Sequence, residues 1–150
     1  MALKLTSAIA AFLIAGFAST AFSADDPIKL RQETMKAIGG AVGSLVKMVK
    51  GETPFDAAAA QQALGTVATK AKGIDIASYF PAGSDKGKTE AKATIWSDPD
   101  GFKAALAKLQ TVSAEQAKTA PQSVDDIKKA LAAVGPACSN CHDTYREKKS

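Results

Sequence analysis

The residues Val124, Ile127, Leu131, Val134, Cys138, Cys141 and Tyr145 follow one another at steps of 3, 4, 3, 4, 3 and 4. That rhythm puts all seven on one face of a helix, and such a face must be buried against other elements. The stripe begins as ordinary core and ends on both cysteines of the chain. Whatever this helix packs against, its carboxy-terminal end carries two thiols towards the same interior as its leucine. Ser123 is the expected cap, and Gly135 with Pro136 is expected to kink the helix just before the thiols.

A second stripe of the same rhythm runs through Ile28, Arg31, Met35, Ile38, Val42, Leu45 and Val49. Asp26 as cap, Pro27 in the first turn and Gly51 beyond the end bound this first helix. Arg31 and Met35 are chemically odd members of an inward face. Thr53 and Pro54 open a second helix, with Phe55, Ala59, Leu64, Val67 and Ala71 inward and an end near Gly73. Residues 73–88 read as a loop that Ile76, Tyr79 and Phe80 pin to the bundle. A third helix spans about 91–118, with a break near Ser97, Asp98 and Pro99, after which Phe102, Leu106, Leu109 and Val112 face inward. Pro121 ends it. No strand-like alternation is found. The fold class is all-α, and the expected architecture is an antiparallel four-helix bundle.

The amino-terminal residues have a different character. A short positive start, the apolar run from Leu5 to Phe17 and small residues to Ala24, with no acid before Asp25, have the layout of a secretory signal peptide. Residues 1–23 are expected to be cleaved, with a cut after Ala24 as the other choice. The run is too short to favour an uncleaved membrane anchor. The remaining residues 24–150 form one domain, with no stable membrane insertion after cleavage and a periplasmic destination. The full chain carries +4 and few aromatics. With no strongly basic stripe, this mild excess points to no nucleic-acid partner.

Cys138-Ser139-Asn140-Cys141-His142 is a C-x-x-C-H run, and His142 is the sole histidine. The spelling is the attachment signature of c-type haem. Thiols at i and i+3 lie on one helical face and reach two vinyl groups of one porphyrin edge. The adjacent imidazole is carried under the ring to the iron. A structural zinc site needs more ligands than two Cys and one His. A thioredoxin-like pair needs a βαβ unit, and a disulfide across one helical turn would be strained. One covalent haem c per chain is the expected cofactor. The sixth iron position can then be taken by a methionine, a lysine or nothing. Met35 lies on the first helix's seam, at the end that an antiparallel bundle sets beside the site; Met48 lies one step off the seam. A seam methionine is otherwise ordinary core.

These residues resemble the class II c-type cytochromes, the cytochrome c prime family. The likeness runs from Arg31-Gln32 through Lys50-Gly51-Glu52, Phe55-Asp56 and Ile95-Trp96-Ser97-Asp98 to the stretch Val134–Arg146. It implies a four-helix bundle with haem near one end. It sets Met35 at the position of the family's distal blocking residue, which implies the low-spin, six-coordinate branch. It also implies that Arg31 and Gln32 lie by the haem propionates and that Arg146 neighbours the imidazole. Pro136 departs from the usual residue there. The expected function is one-electron transport between donor and acceptor redox proteins, without enzymatic chemistry. The other reading is a five-coordinate protein that binds nitric oxide or carbon monoxide. Lys128, Lys148 and Lys149 are candidates to surround the haem edge, and a homodimer through the first two helices is implied.

Overall fold

A computed structural model describes residues 26–148. The expected leader, residues 1–23, and Lys149 lie outside the described residues. Among the described residues six helices occur in the order α1 (Pro27–Val49), α2 (Ala57–Lys72), α3 (Ile76–Tyr79), α4 (Thr94–Ser97), α5 (Pro99–Gln116) and α6 (Val124–Tyr145). The long helices α1, α2, α5 and α6 form the antiparallel four-helix bundle. Each packs on the next, and α6 closes back onto α1 along the thinnest of the four seams. Among the described residues the only β-pairing is an isolated antiparallel bridge between Ala91 and Arg146.

Local chemistry sets the helix ends. Asp26 accepts from the amide of Ile28, and Pro27 occupies the first turn of α1, where a missing N–H costs nothing. Gly51, at φ 73°, takes the left-handed conformation just past that helix, and its amide donates to the Met48 carbonyl. Asp98 and Pro99 start α5 in the same manner as Asp26 and Pro27 start α1. Ser123 caps α6, which continues through Pro136 rather than ending there.

The core is arranged in three tiers along the bundle. Leu45, Met48, Ala60, Ala63, Leu64, Ile127 and Ala130 form the first. Ile38, Val67, Ala71, Leu109, Val134 and Ala137 form the middle one. Ile95, Phe102 and Tyr145 form the third, with Ile76, Phe80 and Trp96 packed against it. The helix order brings the start of α1 and the end of α6 to this third tier.

Two expectations are corrected. The second helix begins at Ala57 rather than at Thr53, because Asp56 caps it through the amide of Ala59. Its register therefore buries Ala60 and Ala63, while Phe55 and Ala59 are exposed. The break expected near Ser97, Asp98 and Pro99 is present: α4 and α5 are separate helices, since Asp98 leaves helical geometry to cap α5. The loop after Gly73 contains α3, capped by Asp75 through the amide of Ser78.

Candidate functional site

The end of α6 presents Cys138, Cys141 and His142 within a single helical turn. All three line a cavity of about 460 Å³, within the ~300–1,000 Å³ common for cofactor pockets. Ile28, Arg31, Gln32, Met35 and Ile38 of α1 form another part of the wall, and Phe102, Leu106 and Leu109 of α5 a third. Arg146 completes the set, so the expected attachment, ligand and propionate-side residues are all gathered at this one cavity. The two methionines separate. Met35 stands on the cavity wall and is therefore 37% exposed, whereas Met48, at 7%, is packed in the first tier, among residues that do not line the cavity.

The electrostatics favour the ligand forms. Burial holds the His142 imidazole below its ordinary pKa, with the positive charge of Arg146 acting in the same direction, so the neutral base dominates near pH 7. Burial pushes both thiols up from the usual range, and each is therefore protonated. Two thiols, a neutral imidazole and a mostly apolar wall are the donor set and surroundings that a covalently attached haem requires. Among the described residues no group of three or more His, Cys, Asp or Glu is arranged to hold a bare metal ion.

Arg31 is almost fully buried, at 7% exposure. Its Nη1 donates to the Tyr79 carbonyl at 2.7 Å and to Ser84 Oγ at 2.9 Å. Its Nη2 donates to the Ser84 carbonyl at 2.7 Å and to Thr89 Oγ1 at 3.2 Å. The guanidinium also sits 5.0 Å from the Phe80 ring centroid. Gln32 Nε2 donates to the Lys88 carbonyl at 2.8 Å. Arg146 Nε pairs with Glu90 at 2.8 Å. Lys128 does not belong to the site: it pairs with Asp125 in the first turn of α6, and the helical rise puts it about 20 Å from His142.

Four wall residues lay outside the sequence-based expectations: Ile74 just before α3, and Thr89, Glu90 and Ala91 in the segment after it. The usable signal was Arg31 itself, since a charge on a buried seam needs several polar partners. The pinning role expected for Ile76, Tyr79 and Phe80 is present. Tyr79 and Thr34 share a hydroxyl hydrogen bond of 3.1 Å, and Phe80 packs edge-on against Phe102 and Trp96.

A helical bundle that ends in a C-x-x-C-H turn over such a cavity defines a c-type cytochrome. A sequence profile described as Cytochrome C' matches residues 26–146. The chain is 39% identical to cytochrome c-556 of Agrobacterium fabrum over 99% of this chain and 100% of that one. Cytochrome c prime from Shewanella frigidimarina superimposes with a TM-score of 0.72 at 37% identity, over 82% of this chain and 95% of that one. A nitric oxide complex of a variant cytochrome c prime from Alcaligenes xylosoxidans gives 0.70 at 30% identity, over 83% and 95%. The chain belongs to the cytochrome c prime family, the class II c-type cytochromes. Its cofactor is covalently attached haem c, and its family is one of electron carriers.

Proposed function

We propose that this chain is a periplasmic one-electron carrier in which Cys138 and Cys141 hold the haem and His142 and Met35 are the two axial ligands. The observation that carries the reading is that Met35 of α1 and His142 of α6 line the same cavity, while Met48 is packed in the tier away from it. Haem iron held in this way supplies a one-electron couple whose potential the soft thioether raises. The chain's own part is to present a neutral imidazole, to keep both ligands on rigid helices and to surround the site with apolar side chains. With both axial positions taken by protein, no position is open for substrate, so the chain acts by transfer alone and not as an enzyme. Arg31, Gln32 and Arg146 are among the polar residues that line the cavity and are assigned to the propionate edge and the imidazole side. Donor and acceptor proteins dock briefly and partly through charge. Among the described residues no helix is long and apolar enough to cross a membrane. Pairing of two copies through α1 and α2 belongs to the same reading, and sedimentation equilibrium tests it.

The decisive experiment is oxidised optical spectroscopy of the holoprotein beside Met35→Ala. A methionine–iron charge-transfer band is expected in the wild type and not in the variant. Identical coordination in the two removes Met35 from the site. A second reading, binding of nitric oxide or carbon monoxide at a five-coordinate iron, is favoured by the likeness to the Alcaligenes protein seen as its nitric oxide complex. A high-spin wild-type spectrum selects it.

A further inference from the structure

Residues 79–92 form part of the cavity wall and are tied down on both sides. Towards α1 they are held by the four hydrogen bonds of Arg31, two of them to backbone carbonyls, and by Gln32 on the Lys88 carbonyl. Towards α6 the Lys92 amide donates to the Tyr145 carbonyl at 3.0 Å and the Glu147 amide to the Glu90 carbonyl at 2.7 Å, around the Ala91–Arg146 bridge. The direct α1–α6 seam is the thinnest in the bundle, yet these are the helices that carry Met35 and His142. The segment is thus a second connection between them. Burying a guanidinium is unfavourable unless its donors are well paired. Its rigid fork here joins three separate points of one segment to the first turns of α1, which a lysine ammonium cannot reproduce.

We propose that Arg31 is a positioning residue: it makes residues 79–92 a strap that fixes α1 against α6, and so sets how firmly Met35 holds the sixth iron position against outside ligands. The second half of this rests on the axial assignment given above; the strap itself does not. Met35 follows Arg31 by four residues, one helical turn. A released strap lets that turn move, lowers the population of the state with Met35 in place and gives a competing ligand easier entry.

The test uses holoprotein, imidazole as the competing ligand titrated spectrophotometrically, and hydrogen exchange at the amides of residue 89 and of Lys92, the latter bonded to the Tyr145 carbonyl. Arg31→Met and Arg31→Lys are both expected to raise imidazole affinity and to speed exchange by about tenfold or more, the factor for losing one charge-assisted hydrogen bond. Thr89→Val, which removes one acceptor, shifts both in the same direction by less. If Arg31→Met does not fold, the other two variants decide. Wild-type affinity and exchange in Arg31→Lys would show that charge alone matters and overturn the strap. If Met35→Ala shows that Met35 never binds iron, the axial assignment fails separately. Exchange then judges the strap, and unchanged exchange overturns it.

Discussion

The hydroxyl of Tyr145 donates to Asp98 Oδ2 at 2.8 Å, so the last residue of α6 is tied to the residue that caps α5. The Tyr145 ring meanwhile packs edge-on against Phe102, at 5.2 Å between centroids, and lines the cavity. One side chain thus links the carboxy-terminal end of the haem helix to the start of its neighbour. Tyr145→Phe keeps the ring and loses the bond; by the usual worth of a hydrogen bond to a charged group it should cost about 1.5 kcal/mol. Asp98→Ala removes the cap as well and should cost about 2–3 kcal/mol. Urea denaturation measures both, and a Tyr145→Phe variant as stable as the wild type would show that the phenol bond is energetically idle.

The same junction leaves no room at Gly101. A Cβ there would run into Asp98 Oδ2 and come within 2.6 Å of the Tyr145 hydroxyl. Gly101→Ala, ordinarily favourable inside a helix, is therefore expected to destabilise. In a Tyr145→Phe background, where the hydroxyl is gone, the penalty should be smaller. A thermal melt of the double variant reads that difference.

Met35 and Met48 should separate cleanly by experiment. Met48→Ala opens a cavity in the first tier and should cost about 2–5 kcal/mol with an unaltered haem spectrum. Met35→Ala should do the reverse, altering the spectrum at small cost in the denaturation midpoint. A Met48 variant with changed iron coordination would contradict this division.

Acid stability has a local source at the start of α6. Ser123 donates its hydroxyl to Asp126 Oδ2 at 3.0 Å, and the Asp126 amide returns a bond to Ser123 Oγ. This hydroxyl, with the Gln122 amide, holds the Asp126 carboxyl below the usual carboxylate range. A carboxylate whose pKa is lowered by folding stabilises the fold above its unfolded value, about 3.9, and that contribution is lost as pH falls through the folded value. Asp126→Asn should flatten the acid limb of stability against pH and leave its neutral-to-basic limb unchanged in shape.

The two seven-residue stripes made α1 and α6 legible in the sequence, because burial on one face imposes a rhythm that survives in the residue order. The C-x-x-C-H run made the site legible for the same reason: its geometry is local. Alanine-rich α2 was harder. Small residues bury without a strong contrast, so its register turned on Asp56 as cap rather than on any apolar period. The strap was the least legible. Two of the four bonds from Arg31 go to the carbonyls of Tyr79 and Ser84, which every residue type possesses, and the tie to Ser84 spans 53 positions. Only the oddity of a charge on an inward face announced it.

The first core tier shares no residue with the cavity wall. It contains Leu45 and Ile127, both completely enclosed, and it is built from α1, α2 and α6 alone. The end of the bundle remote from the haem is thus held by apolar contacts of its own, and the residues that face the prosthetic group can vary without disturbing it.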